Sequence, residues 1–540
     1  MSTGVPAVDQ RSYEQVHKAL SINQRGSYGD LTYMPVFRAS ALFYALCGPE
    51  VNTRVGFLNY WREKNGVHEI GVLVTVRDAQ GISRARSYKR LKDMTDHYDL
   101  RDMLGSDLDF TGSIEVEFFS GEDLKFQFPG ITVFYQTPSG ISYVHSNQRV
   151  YNHSEDKARS GVLNHRQTGF DAVASQGAFV FIVNGPTRFA GGAAQLEAIC
   201  GDGRSRKQTI NMPALAPYAA YRWQAESVDG LIDFLGQESG MFKLDVPLQD
   251  VHLRLAVGHD AFSPSSSNYL RGSGRERWLS VTHSFFDATE HLDYFETSQL
   301  DSGVCPAFIP FVLPEYLNLE LVLYPIYSRS KMRLSLLGFD EHGSEILQLQ
   351  LADYQTPEGG IRRLNIRQLL AVGSRPASCS LYILRFAPSD KQWLPCRITY
   401  GLNFYTGKRL GTNISSSAYI SRSWGLGARS WKWGAIALLE GATNLIIVCA
   451  FRNSAASSIT NTAEGSLKIY DRQGLVAQSS FTLKNCTSQT FNAEAVLAKV
   501  AYDYQKNSIL WYVVESVQPW LDVVGVTVSA QGNVGGDHSF

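Results

Sequence analysis

The chain has no excess of charge of either sign. Its 540 residues include 50 lysines and arginines against 51 aspartates and glutamates, for a formal net charge of −1. A protein that is held to nucleic acid or to an anionic membrane by its overall charge needs a positive excess. We therefore expect no nucleic-acid partner.

Long apolar runs and a leader-like N-terminus are also missing. No stretch reaches the roughly 18–20 apolar residues that span a bilayer, so we expect no transmembrane segment. The N-terminal residues contain no apolar segment typical of a secretory signal. The sequence therefore predicts a cytoplasmic protein, or one that reaches the cell surface by a route without an N-terminal signal peptide.

Cysteine is scarce and scattered. The seven cysteines form no Cys-x-x-Cys pair, and several lie within apolar runs such as Leu196–Cys200. This pattern favours reduced, buried thiols over a disulfide framework or a zinc site.

Sequence motifs of catalysis and nucleotide binding are absent. There is no P-loop, no Gly-x-Gly-x-x-Gly, no Gly-x-Ser-x-Gly and no kinase signature. The twelve histidines are dispersed, and His283, Glu290 and His291 do not have the spacing of a metal-binding motif. The sequence predicts neither a cofactor nor a metal.

An internal repeat is the main feature that the sequence does contain. A strand ending in Asp-x-x-Gly or a close variant, then a short Leu-rich helix, then an alternating strand, occurs four times. The repeats lie about 120 to 140 residues apart, which is the size of a domain. The turn glycines of the four copies are Gly81, Gly203, Gly343 and Gly474.

The alternating strand indicates how one copy folds. Ile114, Val116 and Phe118 alternate with Glu115 and Glu117, which is typical of an antiparallel strand with one buried and one solvated face. Such a sheet needs a cover, and a second sheet from the same copy supplies it. The sequence predicts an all-β fold of four tandem β-sandwich modules, each with one short helix between strands.

The helix should close one end of each sandwich with its last apolar residues. We predict that the second of each apolar pair is buried, namely Leu104, Leu235, Leu370 and Leu497. The module boundaries are predicted where copies meet. They give a flexible N-terminal arm at 1–25 and modules at 26–165, 166–300 (with a Ser/Gly-rich linker at its end), 301–428 and 429–540.

A polar segment between the first two modules is the first candidate site. It contains His145, Arg149, His153 and Asp156. An imidazole could act there as acid or base, an arginine could hold an anion, and the aspartate could orient His153. The alternative interpretation is an exposed loop that joins the two modules.

Three tryptophans between the third and fourth modules form the second candidate. Trp424, Trp431 and Trp433 could offer ring faces to a sugar or to another protein. They could equally pack in a joint between modules.

These features favour a non-enzymatic structural or binding protein. Its repeats would present surfaces for self-assembly, or for glycan or protein partners, because repetition multiplies equivalent surfaces. A near-zero net charge and open sheet edges favour self-association into a homo-oligomer. The alternative is a carbohydrate-active enzyme, a hydrolase or lyase, with its site at the junction of modules one and two.

Overall fold

A computed structural model describes the chain from residue 37 to residue 540. It leaves out residues 106–108, 122–129, 146–147, 151–166, 169–176, 237–239, 249–250, 254, 263–276, 284–293, 297–304, 311–312, 325, 327–328, 352–360, 366–378, 391, 396, 408–410, 420–428, 452–460 and 519–520. The predicted arm 1–25 lies outside the described residues. Within the described part, no helix is both long and apolar enough to cross a membrane.

Among its described residues, the first sandwich has eight strands and two short helices. Its strands are β1 (Phe37–Cys47), β2 (Asn52–Leu58), β3 (Gly71–Asp78), β4 (Ser83–Arg90), β5 (Thr95–Asp99), β6 (Phe110–Ser120), β7 (Ile131–Thr137) and β8 (Gly140–His145). Its helices are α1 (Tyr60–Asn65) and α2 (Leu100–Leu104).

The second sandwich repeats this plan. The connecting strand β9 (Gln148–Val150) precedes it and pairs with its β16. Its helix is α3 (Leu231–Leu235). Its strands are β10 (Gln167–Thr168), β11 (Ala178–Val183), β12 (Gly192–Cys200), β13 (Ser205–Met212), β14 (Ala220–Gln224), β15 (Gly240–Asp245), β16 (Val251–Leu253), β17 (Ala256–Phe262) and β18 (Arg277–His283).

The third and fourth sandwiches follow the same order. The connecting strand β19 (Tyr294–Glu296) pairs with β26 as β9 pairs with β16. The third has β20 (Cys305–Pro310), β21 (Leu317–Leu323), β22 (Met332–Asp340), β23 (Glu345–Gln350), β24 (Arg362–Asn365), β25 (Cys379–Pro388), β26 (Trp393–Pro395), β27 (Arg397–Thr406) and β28 (Thr412–Tyr419). The fourth has β29 (Ser430–Leu438), β30 (Thr443–Ala450), β31 (Thr462–Tyr470), β32 (Leu475–Lys484), β33 (Thr487–Asn492), helix α4 (Ala493–Ala498), β34 (Ser508–Ser516), β35 (Leu521–Val528) and β36 (Val534–His538).

All four sandwiches share one topology. The first sheet has the order β4-β3-β6-β1, and its counterparts are β13-β12-β15-β10, β23-β22-β25-β20 and β32-β31-β34-β29. The second sheet has β5-β2-β7-β8, with β14-β11-β17-β18, β24-β21-β27-β28 and β33-β30-β35-β36 as counterparts. In module one a pairing of β1 with β2 at Cys47 and Asn52 joins the two sheets into one of eight strands. Every pairing is antiparallel. The predicted all-β fold of four tandem β-sandwich modules is confirmed.

The four turn glycines occupy the same hairpin in each copy, as predicted. Gly81, Gly203, Gly343 and Gly474 connect the paired strands β3–β4, β12–β13, β22–β23 and β31–β32, all with positive φ. We call these hairpins the docking turns. The aspartate that opens most of them accepts backbone hydrogen bonds within the turn, as in the bond from the amide of Gln80 to Asp78.

The prediction for the helix leucines is right in two copies and wrong in one. Leu235 and Leu497 are buried. Leu104 is only half-buried, and Leu100, one turn earlier, is the fully buried residue of α2. Asp99 caps α2 by accepting a hydrogen bond from the amide of Arg101. Leu370 lies outside the described residues.

The last strands of the four sandwiches meet at a central hub. We call β8, β18, β28 and β36 the hub strands; β8 packs against β18, β18 against β28, β28 against β36, and β36 against β8. The tandem modules therefore form a closed ring and do not extend in a row. Hydrogen bonds join Ser142 with Val281, Ser280 with Gly411, Thr412 with Gly536, and Asn533 with Ser139.

Docking turns make a second set of joints around the ring. The amide of Ala220, at the start of β14, donates to the carbonyl of Ala79 in the first docking turn (3.0 Å). The amide of Met94, just before β5, donates to the carbonyl of Arg472 in the fourth docking turn (3.1 Å). Ala79 and Arg472 hold the same turn position, so module four docks onto module one as module one docks onto module two.

The remaining two joints are close-packed. A Cβ on Gly343, in the third docking turn, would collide with the backbone carbonyl of Asn485 in module four. Modules two and three share a small apolar cluster of Ile199, Met241, Val322, Tyr324 and Ile361.

The apolar core continues across these joints. One cluster combines the cores of modules one and two with Trp431, Trp433 and Trp511 of module four. A second joins module three with Leu445, Ile447 and other residues of module four. The modules are therefore packed parts of one body.

One consequence is that a predicted solvated face is buried. Glu115 was expected to point to water, but it is buried at the joint between modules one and two. It forms ion pairs with Arg38 (3.2 Å) and Arg77 (2.9 Å). The guanidinium of Arg77 lies 3.9 Å from the ring centroid of Tyr218 in module two. The alternation correctly predicts one apolar and one polar face, but the neighbouring module covers the polar face.

Candidate metal centre at the hub

Four titratable side chains come together where three hub strands end. His145 is the last residue of β8, His283 the last of β18, and Asp537 and His538 the last two of β36. Each offers one ligand-type atom, and these atoms all lie within 4.8 Å of one another. Modules one, two and four each contribute at least one of the four side chains.

The carboxylate of Asp537 is bound to the first histidine. Its Oδ2 accepts a hydrogen bond from the backbone amide of His145 (2.6 Å) and lies 2.9 Å from Nδ1 of the same residue. Burial raises the pKa of Asp537, but the contacts with His145 and the nearby His538 outweigh it and hold the pKa below its usual range. The carboxylate is therefore ionised beside the imidazoles.

The other two histidines face each other. Nε2 of His283 lies 3.4 Å from Nε2 of His538. Nδ1 of His538 lies 3.1 Å from the carbonyl oxygen of Ser539. A proton on this Nδ1 would be donated to that carbonyl, which leaves Nε2 as the atom with a lone pair toward the cluster. The ring of His145 packs edge-on against both other imidazoles, with centroids 4.5 Å apart in each case.

The space beside the cluster is small. A cavity of about 10 Å³ is lined by Asp537 and His538 together with Thr132, Tyr143 and Tyr512, among others. That volume holds about one water molecule. His145 is 5% and His283 2% exposed. As bounded by the described residues, this cavity is large enough for a water molecule or an ion and too small for an organic substrate.

The candidate site predicted from the sequence combined His145 with residues close to it in the chain, and these are not the residues that surround it in the structure. Arg149 lies in β9, where its backbone pairs with His252 of β16, and His153 and Asp156 lie outside the described residues. The structure brings His145 together with His283 from module two and with Asp537 and His538 from module four. An alignment of the four repeats that included the last strand of each copy would have shown that this strand ends in a histidine in three copies.

The tryptophan candidate lies at the joint of modules four and one. Trp431 and Trp433 are each 6% exposed, and the ring of Trp433 lies 4.5 Å from that of Tyr60 and 5.0 Å from that of Phe540. A ligand platform needs an exposed ring face, so this burial does not support ligand binding by these two residues. Trp424 lies outside the described residues.

The cysteines do not form a metal site among the described residues. Cys47, Cys200, Cys379, Cys449 and Cys486 are buried and form no disulfides. Burial raises the pKa of Cys486 to about 12, so this thiol stays protonated at neutral pH.

Comparison with known proteins gives little further information. No family model matches the chain, and no curated protein sequence is significantly similar to it. Among solved structures, a tetra-tandem repeat in the extending region of a large adhesion protein aligns over 93% of this chain and 98% of its own, with 13% identity and a TM-score of 0.10. The M60 catalytic domain with the CBM51-1 and CBM51-2 domains of Clostridium perfringens ZmpB aligns over 92% of this chain and 55% of its own, with 8% identity and a TM-score of 0.11. The native conformation of E. coli alpha-2-macroglobulin aligns over 91% and 28%, with 7% identity and a TM-score of 0.10. TM-scores this low carry no argument about function.

Proposed function

We propose that the chain is a non-enzymatic structural protein, a ring-shaped unit that assembles with further copies of itself. The observation that carries this proposal is the closed ring. Hub contacts and docking-turn contacts join each module to the next, and module four returns to module one. A closed and continuously packed body suits a rigid building unit.

The edge strands of the first sheets support self-assembly. Among the described residues, β4, β13, β23 and β32 each stand at one end of the strand order of their first sheet, so they are edge strands. Unpaired edges offer backbone groups to another chain unless charges protect them. The edge β4 carries Arg84, Arg86, Lys89 and Arg90, whereas β23 carries Glu345 as its one charged residue. Ile346 on β23 is 37% exposed, so this edge presents an apolar side chain with little charge to protect it.

Burial at the hub argues against the carbohydrate-active enzyme. Asp537 and His538 line a cavity that holds about one water molecule, and His145 and His283 beside them are buried. Most glycosidases use a pair of carboxyl groups that flank the bound sugar, and the cluster contains one aspartate. A glycan or protein partner, if the ring has one, would bind its outer surface.

Light scattering over a concentration series tests the proposal. We expect a mass that rises above 60.0 kDa with concentration. Ile346→Lys should weaken the association at least fivefold, because it places a charge on the bare edge. Val517→Lys is the matched control, since Val517 is also an exposed apolar residue (71%) but lies outside these edge strands.

Two results would contradict the proposal. One is a strict monomer at high micromolar concentration. The other is hydrolysis of a glycan panel by the wild type that is lost in a folded His145→Gln variant, and this result would favour the enzyme.

A further inference from the structure

We propose that His145, His283, Asp537 and His538 bind one divalent transition-metal ion, with Zn²⁺ as the preferred ion. Three imidazoles and one carboxylate are a donor set that Zn²⁺ accepts in four-coordinate sites. The four ligand atoms already lie within 4.8 Å of one another, so small side-chain movements suffice to bring them around one centre.

The distance between the two facing histidines fits this ion. Two nitrogens, each about 2.0–2.1 Å from a tetrahedral zinc, lie about 3.4 Å apart. Nε2 of His283 and Nε2 of His538 are separated by 3.4 Å. A single hydrogen bond between neutral imidazoles also fits this distance, and the experiment below separates the two arrangements.

The surroundings supply the contacts that metal ligands need. Ligating histidines usually donate their second ring nitrogen to a carbonyl or carboxylate, which fixes the tautomer. Nδ1 of His538 contacts the carbonyl of Ser539 (3.1 Å). The backbone amide of His145 donates to Asp537 (2.6 Å) and holds the carboxylate in place.

The position of the site gives the ion a role. His145 and His283 come from modules one and two, and Asp537 and His538 lie at the end of the last strand of module four. All four ligands are together only when module four has closed onto modules one and two. Binding to the closed form alone would stabilise the ring by linkage. The ion would then hold module four against modules one and two and keep the ring closed.

Calorimetric titration of the full chain with Zn²⁺, after removal of metals by a chelator, tests the proposal. We expect one Zn²⁺ bound per chain and a higher melting temperature in its presence. Co²⁺ is a second probe, because tetrahedral nitrogen and oxygen coordination gives it intense visible absorption bands. Absence of stoichiometric Zn²⁺ binding by the folded wild type would overturn the proposal.

Ligand variants locate the binding. His283→Gln and His538→Gln keep most of the side-chain volume, and each should weaken Zn²⁺ binding at least tenfold and abolish the Co²⁺ bands. His68→Gln is the matched control, since His68 is exposed and far from the hub in the chain. Unchanged affinity in both hub variants would assign the zinc to another place and overturn the proposal. If either variant fails to fold by circular dichroism, Asp537→Asn takes its place, because the amide oxygen can still accept the bond from His145.

Discussion

The backbone amide of Met94 donates to the carbonyl of Arg472 across 3.1 Å, although 378 positions separate the two residues along the chain. The side chain of Arg472 also pairs with Asp93 (2.7 Å). The ion pair is largely exposed and adds little stability by itself. Together with the backbone hydrogen bond, the ion pair fixes the position of the fourth docking turn on module one, and this contact closes the ring.

Replacement of a docking-turn glycine by alanine should destabilise the protein more than the same replacement at another glycine with a similar positive φ. Gly81 has φ of +84°, and a Cβ there would collide with the carbonyl of Pro217 in module two. Gly66 has φ of +68° with no neighbouring atom in reach. Gly66→Ala should cost about 1–2 kcal/mol of backbone strain, and Gly81→Ala distinctly more. Urea denaturation measures both, and equal costs would show that the turn is not pressed against module two.

The buried helix leucine of module four should matter for stability. Leu497 is fully buried within the module core, so Leu497→Ala should lower the free energy of unfolding by about 2–5 kcal/mol. Leu475→Ala is the control in the same module, because Leu475 is half-exposed. Calorimetry of the two variants gives the comparison, and similar melting temperatures would contradict the assigned packing.

The stability from Asp99 should depend on pH. Burial raises the pKa of Asp99, but hydrogen bonds from Asn52 and Arg54 and the amide of Arg101 outweigh it and leave the pKa lowered. A carboxyl whose folded pKa is lowered stabilises the fold above its unfolded pKa of about 3.9, and this stabilisation is lost as the pH falls through the folded pKa. Asp99→Asn should therefore cost about 1–2 kcal/mol at neutral pH.

The same Asp99→Asn variant should lose its difference from wild type in acid. Denaturation curves from pH 7 downward measure this, with the exposed Asp102→Asn as control. A difference that stays constant across the acid range would contradict the ionised pairing with Arg54.

Trp433 should couple module four to module one. Its ring packs on Tyr60 of α1 and on Phe540. Trp433→Ala should cost about 3–5 kcal/mol and speed amide hydrogen exchange in α1. Trp223→Ala removes an equally buried ring from the second module and should leave exchange in α1 unchanged. Equal exchange in the two variants would contradict the coupling.

The prediction for the hub histidines rests on geometry that no local pattern contains. His283 and His538 are 255 residues apart, and neither lies in a spacing that indicates a metal ligand. Dispersed histidines suggested no metal, since ligands on different modules have no common spacing. Their proximity depends on four last strands meeting at one point.

The sequence by itself determined the repeat, the β-sandwich class and the position of the docking turns. These depend on short-range rules, namely the two-residue alternation of strands and the positive φ that glycine adopts in turns. Leu104 shows where these rules fail, because helix pattern alone did not decide which of two leucines, one turn apart, faces the core.

Only the tertiary structure decided the ring, the hub and the burial of Glu115. When polar and apolar residues alternate along a strand, the polar face is predicted to contact solvent. In β6 another module covers this face with residues about 100 positions away in the chain, such as Tyr218. Contacts between modules are set by the shape and packing of whole surfaces. Each of these surfaces is assembled from several distant strands, so no single segment of the sequence specifies it.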